Sequence, residues 1–264
     1  MSGRCLKITD GENIGGCPRP MKTVGIMQPY LFPYLGYFQL ISHCDVFVWL
    51  DDAQYITRGW MNRNRILLGG KAHDFVFGVR KGDQKLPINE RWYTEQFPRE
   101  AEDFLKTLQL GYRRAPHYGS VQELLRRLLS APERNVAAFN CMSLETLCAC
   151  MGIAPAFTRS SLLPETASLR GEERIIAIVK SLEGDRYLNA IGGMSLYSSD
   201  RFTRSGLMLN FLRSGEGTYA QFGAPFVGRL SIIDALMFAQ PGELLRLLGD
   251  CDFVGQREDA IHAA

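Results

Sequence analysis

Histidine is scarce, with 4 in 264 residues, and none stands with cysteine, aspartate or glutamate at the spacing of a metal site or catalytic triad. An excess of one charge is also missing. The formal net charge of +2 is too near balance to indicate nucleic acid or a membrane surface as partner. No apolar run reaches the roughly 18 residues that span a bilayer, so no membrane span is expected. Residues 1–20 lack the apolar stretch of a secretory signal. There is no G-x-S-x-G elbow, Walker loop or dinucleotide fingerprint. The 7 cysteines are odd in number and scattered, which argues against a disulfide framework and fits reduced thiols in a cytoplasm. Cys148 and Cys150 have no second ligand pair nearby, so no structural metal is expected.

What remains is an ordinary globular composition, 46% hydrophobic and 22% charged, enough to bury a core without cross-links. A single domain is expected over residues 21–254, after a disordered leader of residues 1–20 and before a flexible tail of residues 255–264. Met21 is an alternative start. Lys22 to Met27 is a short apolar run halted at Gln28-Pro29 and reads as a buried strand. Apolar positions from Leu35 suit a helix, and Asp45 to Leu50 returns as a second strand. This is a β-turn-α-β unit with parallel strands, the start of a Rossmann-like α/β sheet.

A β-hairpin beside that sheet is predicted for Ile66 to Phe77, turning on Gly69-Gly70. Helical periodicity then occupies residues 100–110, 121–129 and 134–151, a block of about 98–152. A further helix is predicted at Arg174–Leu182, strands at Tyr187–Leu188 and Leu207–Leu212, and a short helix capped by Ser198 or Ser199. Apolar helical patterns close the chain at Ser231–Met237 and Gly242–Leu248.

Ligands of open α/β sheets bind beyond the carboxyl ends of the strands, so the loops that follow strands come first. In the first, Gln28 to Tyr37, two prolines stiffen the turn and Gly36 permits close approach at the helix start. Tyr30, Tyr34 and Tyr37 can each stack on a ring and offer a hydroxyl, although covering the core is the competing use. The second, Asp51 to Arg65, carries Asp51, Asp52, Gln54, Arg58, Asn62, Arg63, Asn64 and Arg65. Arginine forks match phosphate or carboxylate, and an aspartate can orient a hydroxyl or accept a proton. Solvated ion pairs are the alternative there. The third holds Asn189, Gly192, Gly193 and Tyr197, where paired glycines can expose backbone N–H groups to an anion or make only a tight turn. His117 could serve as a base, but a surface or capping role competes.

The stretches IMQPYLFPYLGYFQLI (Ile26–Ile41), DDAQYITRGWMNRNRIL (Asp51–Leu67), INER (Ile88–Arg91), YLNAIGGMSLYSSDRF (Tyr187–Phe202) and LSIIDALM (Leu230–Met237) together resemble the WbqC-like protein family, in order and over nearly the whole chain from Met21. The resemblance implies a role in surface-polysaccharide or O-antigen assembly, with a nucleotide-linked amino sugar as partner. It implies acyl or aminoacyl transfer, such as attachment of glycine, to the sugar amine. The donor would be an activated acyl or aminoacyl compound, aminoacyl-tRNA among them. On this reading Asp51 and Asp52 are the catalytic candidates with Tyr37, and Gln28, Tyr30, Tyr34, Gly36, Gln54, Arg58, Asn62, Arg63, Asn64, Arg65, Asn189, Gly192, Gly193 and Tyr197 bind substrate.

The entry of the chain is also similar to nucleotidylyltransferases of the class I synthetase kind, which carry H-x-G-H where this chain has Tyr34-Leu-Gly-Tyr37. Tyrosine brings no positive charge near neutral pH. ATP-dependent adenylyl transfer to a carboxylate and a non-catalytic scaffold that holds sugar nucleotides are therefore the two alternatives to acyl transfer.

Overall fold

The computed structural model describes residues 20–255, apart from Glu216 and Ala224. The expected leader up to residue 19 and the expected tail from residue 256 lie outside the described residues.

The first strand, β1 (Thr23–Met27), leads through a turn into α1 (Leu35–Ser42) and then β2 (Val46–Trp49), which pairs parallel to β1 as expected. Side chains alternate across these strands. Val24, Ile26, Val46 and Val48 face one apolar cluster, and Phe47 and Trp49 face the other. Gly25 belongs to the second side, where a Cβ would stand 2.6 Å from Cys44 Sγ. Only a glycine lets α1 and β2 close over β1 there.

The hairpin of β3 (Arg63–Leu68) and β4 (Lys71–Val76) forms a two-stranded sheet of its own. The outer edge of β3 is occupied by other partners. Leu67 N donates to the Tyr112 hydroxyl at 2.6 Å, and the Arg65 carbonyl accepts from Ser231 N at 2.8 Å. Next come α2 (Phe97–Tyr112), α3 (Tyr118–Ser130) and α4 (Val136–Cys150), close to the predicted helices, with Asn135 capping α4 through Ala138 N.

A strand absent from the sequence prediction follows, β5 (Ala156–Arg159), parallel to β2 at one edge. Its four residues follow Pro155 and carry no apolar run. The chain continues through α5 (Gly171–Ser181), β6 (Arg186–Ala190), α6 (Ser199–Arg204) and β7 (Met208–Ser214). Ser198 is the N-cap residue of α6, yet its side chain makes no cap bond. α7 (Ile232–Phe238), capped by Ser231, and α8 (Pro241–Gly249) precede a second unforeseen strand, β8 (Cys251–Gly255), antiparallel to β7.

The main sheet has six strands in the order β5-β2-β1-β6-β7-β8, parallel except for β8. This is the doubly wound, Rossmann-like arrangement. From β1 the chain winds outward through β2 and β5, then returns beside β1 at β6 and winds the other way. The carboxyl ends of β1 and β6 therefore flank a switch point. Among the described residues no helix is long and apolar enough to cross a membrane.

Candidate functional site

At that switch point the loops enclose a cavity of about 790 Å³. Its walls come from the β1–α1 turn (Tyr30, Tyr34, Gly36), from Trp60 and the start of the hairpin (Asn64, Arg65), and from Gly192 after β6. The end of β7 contributes Arg213 and Ser214, and the segment between β7 and α7 contributes Tyr219, Phe226 and Arg229. A second cavity of about 490 Å³ lies near His43, Cys44 and Asp45, at the amino ends of β2 and β5. Burial pushes the Cys44 thiol well up, which leaves it unreactive. The first cavity has the position that ligands take in this fold.

The β1–α1 turn is held from several sides. Phe32 is buried at a φ of +42°, a conformation bulky side chains rarely adopt. Asn64 Nδ2 donates to the carbonyls of Leu31 (3.0 Å) and Phe32 (2.9 Å), and Ser231 Oγ donates to Phe32 O at 2.7 Å. Asn140 Nδ2 donates to the carbonyls of Pro29 and Met61, and its own oxygen accepts from Tyr93. This network turns Tyr34 outward, 41% exposed, opposite the hairpin side where Trp60 is 42% exposed. At Gly36 a Cβ would fall 2.3 Å from Ser214 Oγ and 2.5 Å from the Tyr34 ring, so any larger residue forces those side chains to move.

Among the described residues the lining includes three arginines and no carboxylate. Arg65 lies 5.5 Å from the Trp60 ring, donates to Arg229 O at 3.3 Å, and has a buried Nε with no hydrogen-bond partner. Burial pushes the Tyr34 hydroxyl up, and the charge of Arg229 draws it partly back. Behind the cavity wall, Asp234 is fully buried. It accepts from the Tyr112 and Tyr219 hydroxyls and from Gln221 Nε2, each at 2.7 Å. Burial pushes its carboxyl up, and these three donors pull it only partly down.

The structure brings together Tyr30, Tyr34, Gly36, Asn64, Arg65 and Gly192 from the sequence candidates. The others stand elsewhere. Asp51 is buried and accepts from Ser161 N (3.0 Å) and Ser161 Oγ (2.7 Å). Asp52 accepts from Ser160 Oγ at 2.6 Å and pairs with Arg174 at 2.5 Å. Both carboxylates thus clamp the 160–162 turn and α5 to the end of β2, away from the cavity lining. The Tyr37 ring is in the core and its hydroxyl donates to Gln28 O at 2.5 Å, which leaves it no open face. Gln28 lies under the wall, accepting from the Tyr30 hydroxyl at 3.2 Å.

Gln54 bonds Gln84 O between the loops on either side of the hairpin, while Asn62 bonds Phe77 O and Arg63 pairs with Asp74 along it. Arg58 is exposed on a turn at φ +65°. Asn189 is turned onto the Ala190 N–H, Gly193 backs onto Asn189, and Tyr197 is wedged among Tyr187, Phe202 and Phe211. The cavity residues that sequence reasoning missed are Trp60, Arg213, Tyr219 and Arg229. Tyr219 and Arg229 lie in the segment after β7, which is rich in glycine and aromatics, has no helical or strand period and so offered only composition as a signal.

Fold and cavity define a class, a doubly wound α/β protein with an aromatic, cationic pocket at its switch point. The model of the WbqC-like protein family matches residues 28–245, and the chain belongs to that family. It is similar to the uncharacterized protein Rv1507c of Mycobacterium tuberculosis, with 27% identity over 224 residues, covering 82% of this chain and 93% of the relative. No solved structure matches it.

Proposed function

We propose that this protein is an enzyme of surface-polysaccharide biosynthesis that modifies an activated amino sugar by acyl or aminoacyl transfer to the sugar amine. One observation carries the reading: the switch-point cavity combines aromatic faces at Tyr30, Tyr34 and Trp60 with three arginines and, among the described residues, no carboxylate in its lining. Its volume of about 790 Å³ suits a ligand of sugar-nucleotide size. Aromatic faces cover the apolar side of a sugar or base ring, and hydroxyls at their edges meet its polar groups.

The chemistry follows from the charge. A sugar amine attacks an acyl carbon only as the neutral base, and nearby cations disfavour its ammonium form. Arginine donors also stabilise the oxyanion that develops on the acyl oxygen. In this reading Tyr30, Tyr34 and Arg65 meet the ligand, while Asp51, Asp52 and Tyr37 keep the surrounding loops in place.

The test is incubation with nucleotide-linked 4-amino sugars and a panel of acyl-CoA and aminoacyl donors, followed by mass spectrometry. The expected result is the mass of an amide product. Release of AMP or pyrophosphate from ATP instead would transfer the assignment to adenylyl chemistry, and binding without any product would make the protein a scaffold.

A further inference from the structure

Arg63, Arg80, Arg126, Arg127, Arg174, Arg201 and Arg246 each reach a carboxylate oxygen within 4.0 Å. Arg65, Arg213 and Arg229 converge on one cavity, and among the described residues none of them forms an ion pair. Three like charges gathered in one lining, with no carboxylate among its described residues, repel one another, at a cost that a bound anion removes.

The backbone holds two of these arginines in register. Arg65 O accepts from Ser231 N, Arg65 Nη2 donates to Arg229 O, and Ile232 N donates to Pro33 O at 2.7 Å. Hairpin, β1–α1 turn and the approach to α7 are thereby laced into one rim. Arg229 occupies that rim at φ +57°, where a non-glycine residue is strained. Its charge reaches the Tyr34 hydroxyl. The Arg65 guanidinium lies by Trp60 with its Nε buried and unpartnered, a donor without an acceptor. An anion in the cavity would offset the charge of both guanidinium groups.

We propose that Arg65 and Arg229 form a clamp for the diphosphate of a nucleoside-diphosphate ligand, with Arg213 facing it from the end of β7. Guanidinium forks bind phosphate oxygens in pairs, and Tyr34 and Trp60 stand beside the two clamp residues to cover the attached rings. The clamp rests on the reading of the cavity as the site for an activated sugar and names what activates it.

Binding is measured by calorimetry on the full chain, with inorganic pyrophosphate, thymidine diphosphate, uridine diphosphate and ATP as probes. Pyrophosphate and the nucleoside diphosphates are expected to bind, more weakly as salt is raised. R65Q and R229Q should each weaken them by roughly tenfold or more, the loss of one charge-assisted contact. R63Q, outside the cavity and paired with Asp74, should leave affinity unchanged. Because Arg229 is exposed, its variant tests the clamp independently of how β3 folds.

Failure of pyrophosphate and all nucleotides to bind, or binding that R65Q and R229Q leave intact, overturns the clamp. Tight binding of ATP alone would refute a diphosphate ligand. No turnover is needed, so the clamp and the transfer reaction fail separately. Diphosphate binding without amide product leaves the clamp standing and removes the transferase reading. Amide formation on a phosphate-free sugar, uninhibited by pyrophosphate, does the reverse.

Discussion

Asn64 holds Phe32 in its left-handed conformation: the Asn64 side-chain amide donates to Phe32 O at 2.9 Å while Phe32 sits at φ +42°. One residue of the hairpin thereby shapes the turn that follows the first strand. Asn64→Ala removes the donor to two buried carbonyls and should cost about 2 kcal/mol, read as a lowered urea midpoint with unchanged slope. Asn64→Asp should cost more, because it sets a carboxylate against two carbonyl oxygens.

The Gly36 position predicts a separation of binding from stability. Gly36→Ala forces its Cβ against Ser214 Oγ and the Tyr34 ring, and both can yield toward the cavity at a cost of about 1–3 kcal/mol. Nucleotide affinity should fall further than stability does. Adding Ser214→Ala should recover part of the affinity, since the nearest clash is with the Ser214 hydroxyl.

Asp52 makes stability depend on acid. Burial pushes its carboxyl up, but the hydrogen bond from Arg174, the Ser160 hydroxyl and the Arg174 charge together hold it below the ordinary carboxylate range. A depressed folded value gives stability that is present above the unfolded pKa and is lost as pH falls through the folded one. Asp52→Asn should therefore cost about 1 kcal/mol at neutral pH, a figure reduced for partial solvent screening. Its gap from the wild type should close as pH is taken down from about 5 in denaturation curves.

Asp234 has the opposite sign. Burial raises its carboxyl despite three hydrogen bonds, so its contribution is complete below the unfolded carboxylate pKa and declines as pH rises through the raised value. Asp234→Ala leaves two tyrosine hydroxyls and the Gln221 amide without their acceptor and should destabilise by about 3 kcal/mol. The segment between β7 and α7 is fastened through Tyr219 and Gln221, so limited proteolysis should cut it first in this variant. A variant as resistant there as the wild type would show that the segment is held by other contacts.

Local pattern was sufficient for the β1–α1–β2 unit, the hairpin and the helical block, because strands of period two, helices of period 3.6 and glycine or proline stops are properties of contiguous residues. It was not sufficient for β5 or β8. Ala156–Arg159 and Cys251–Gly255 are short edge strands, and pairing with β2 and β7 defines them rather than any pattern of their own.

The site divides the same way. Tyr34, Gly36 and Arg65 stood out in the sequence, since a stiff aromatic turn after a strand and an arginine-rich loop are local features. Asp51 and Asp52 also stood out, and partners more than a hundred positions away decided their use: Ser160, Ser161 and Arg174 take up their oxygens. Arg213, at the end of β7, and Arg229, in a stretch without periodicity, gain meaning only in the same cavity lining as Arg65, whose guanidinium donates to Arg229 O. The sequence by itself determined the order of elements and the loop that leads the cavity, through short-range sterics and apolar spacing. Which charges pair with one another and which line the cavity was decided only by the tertiary structure, because ion pairing depends on distance in space and not on distance along the chain.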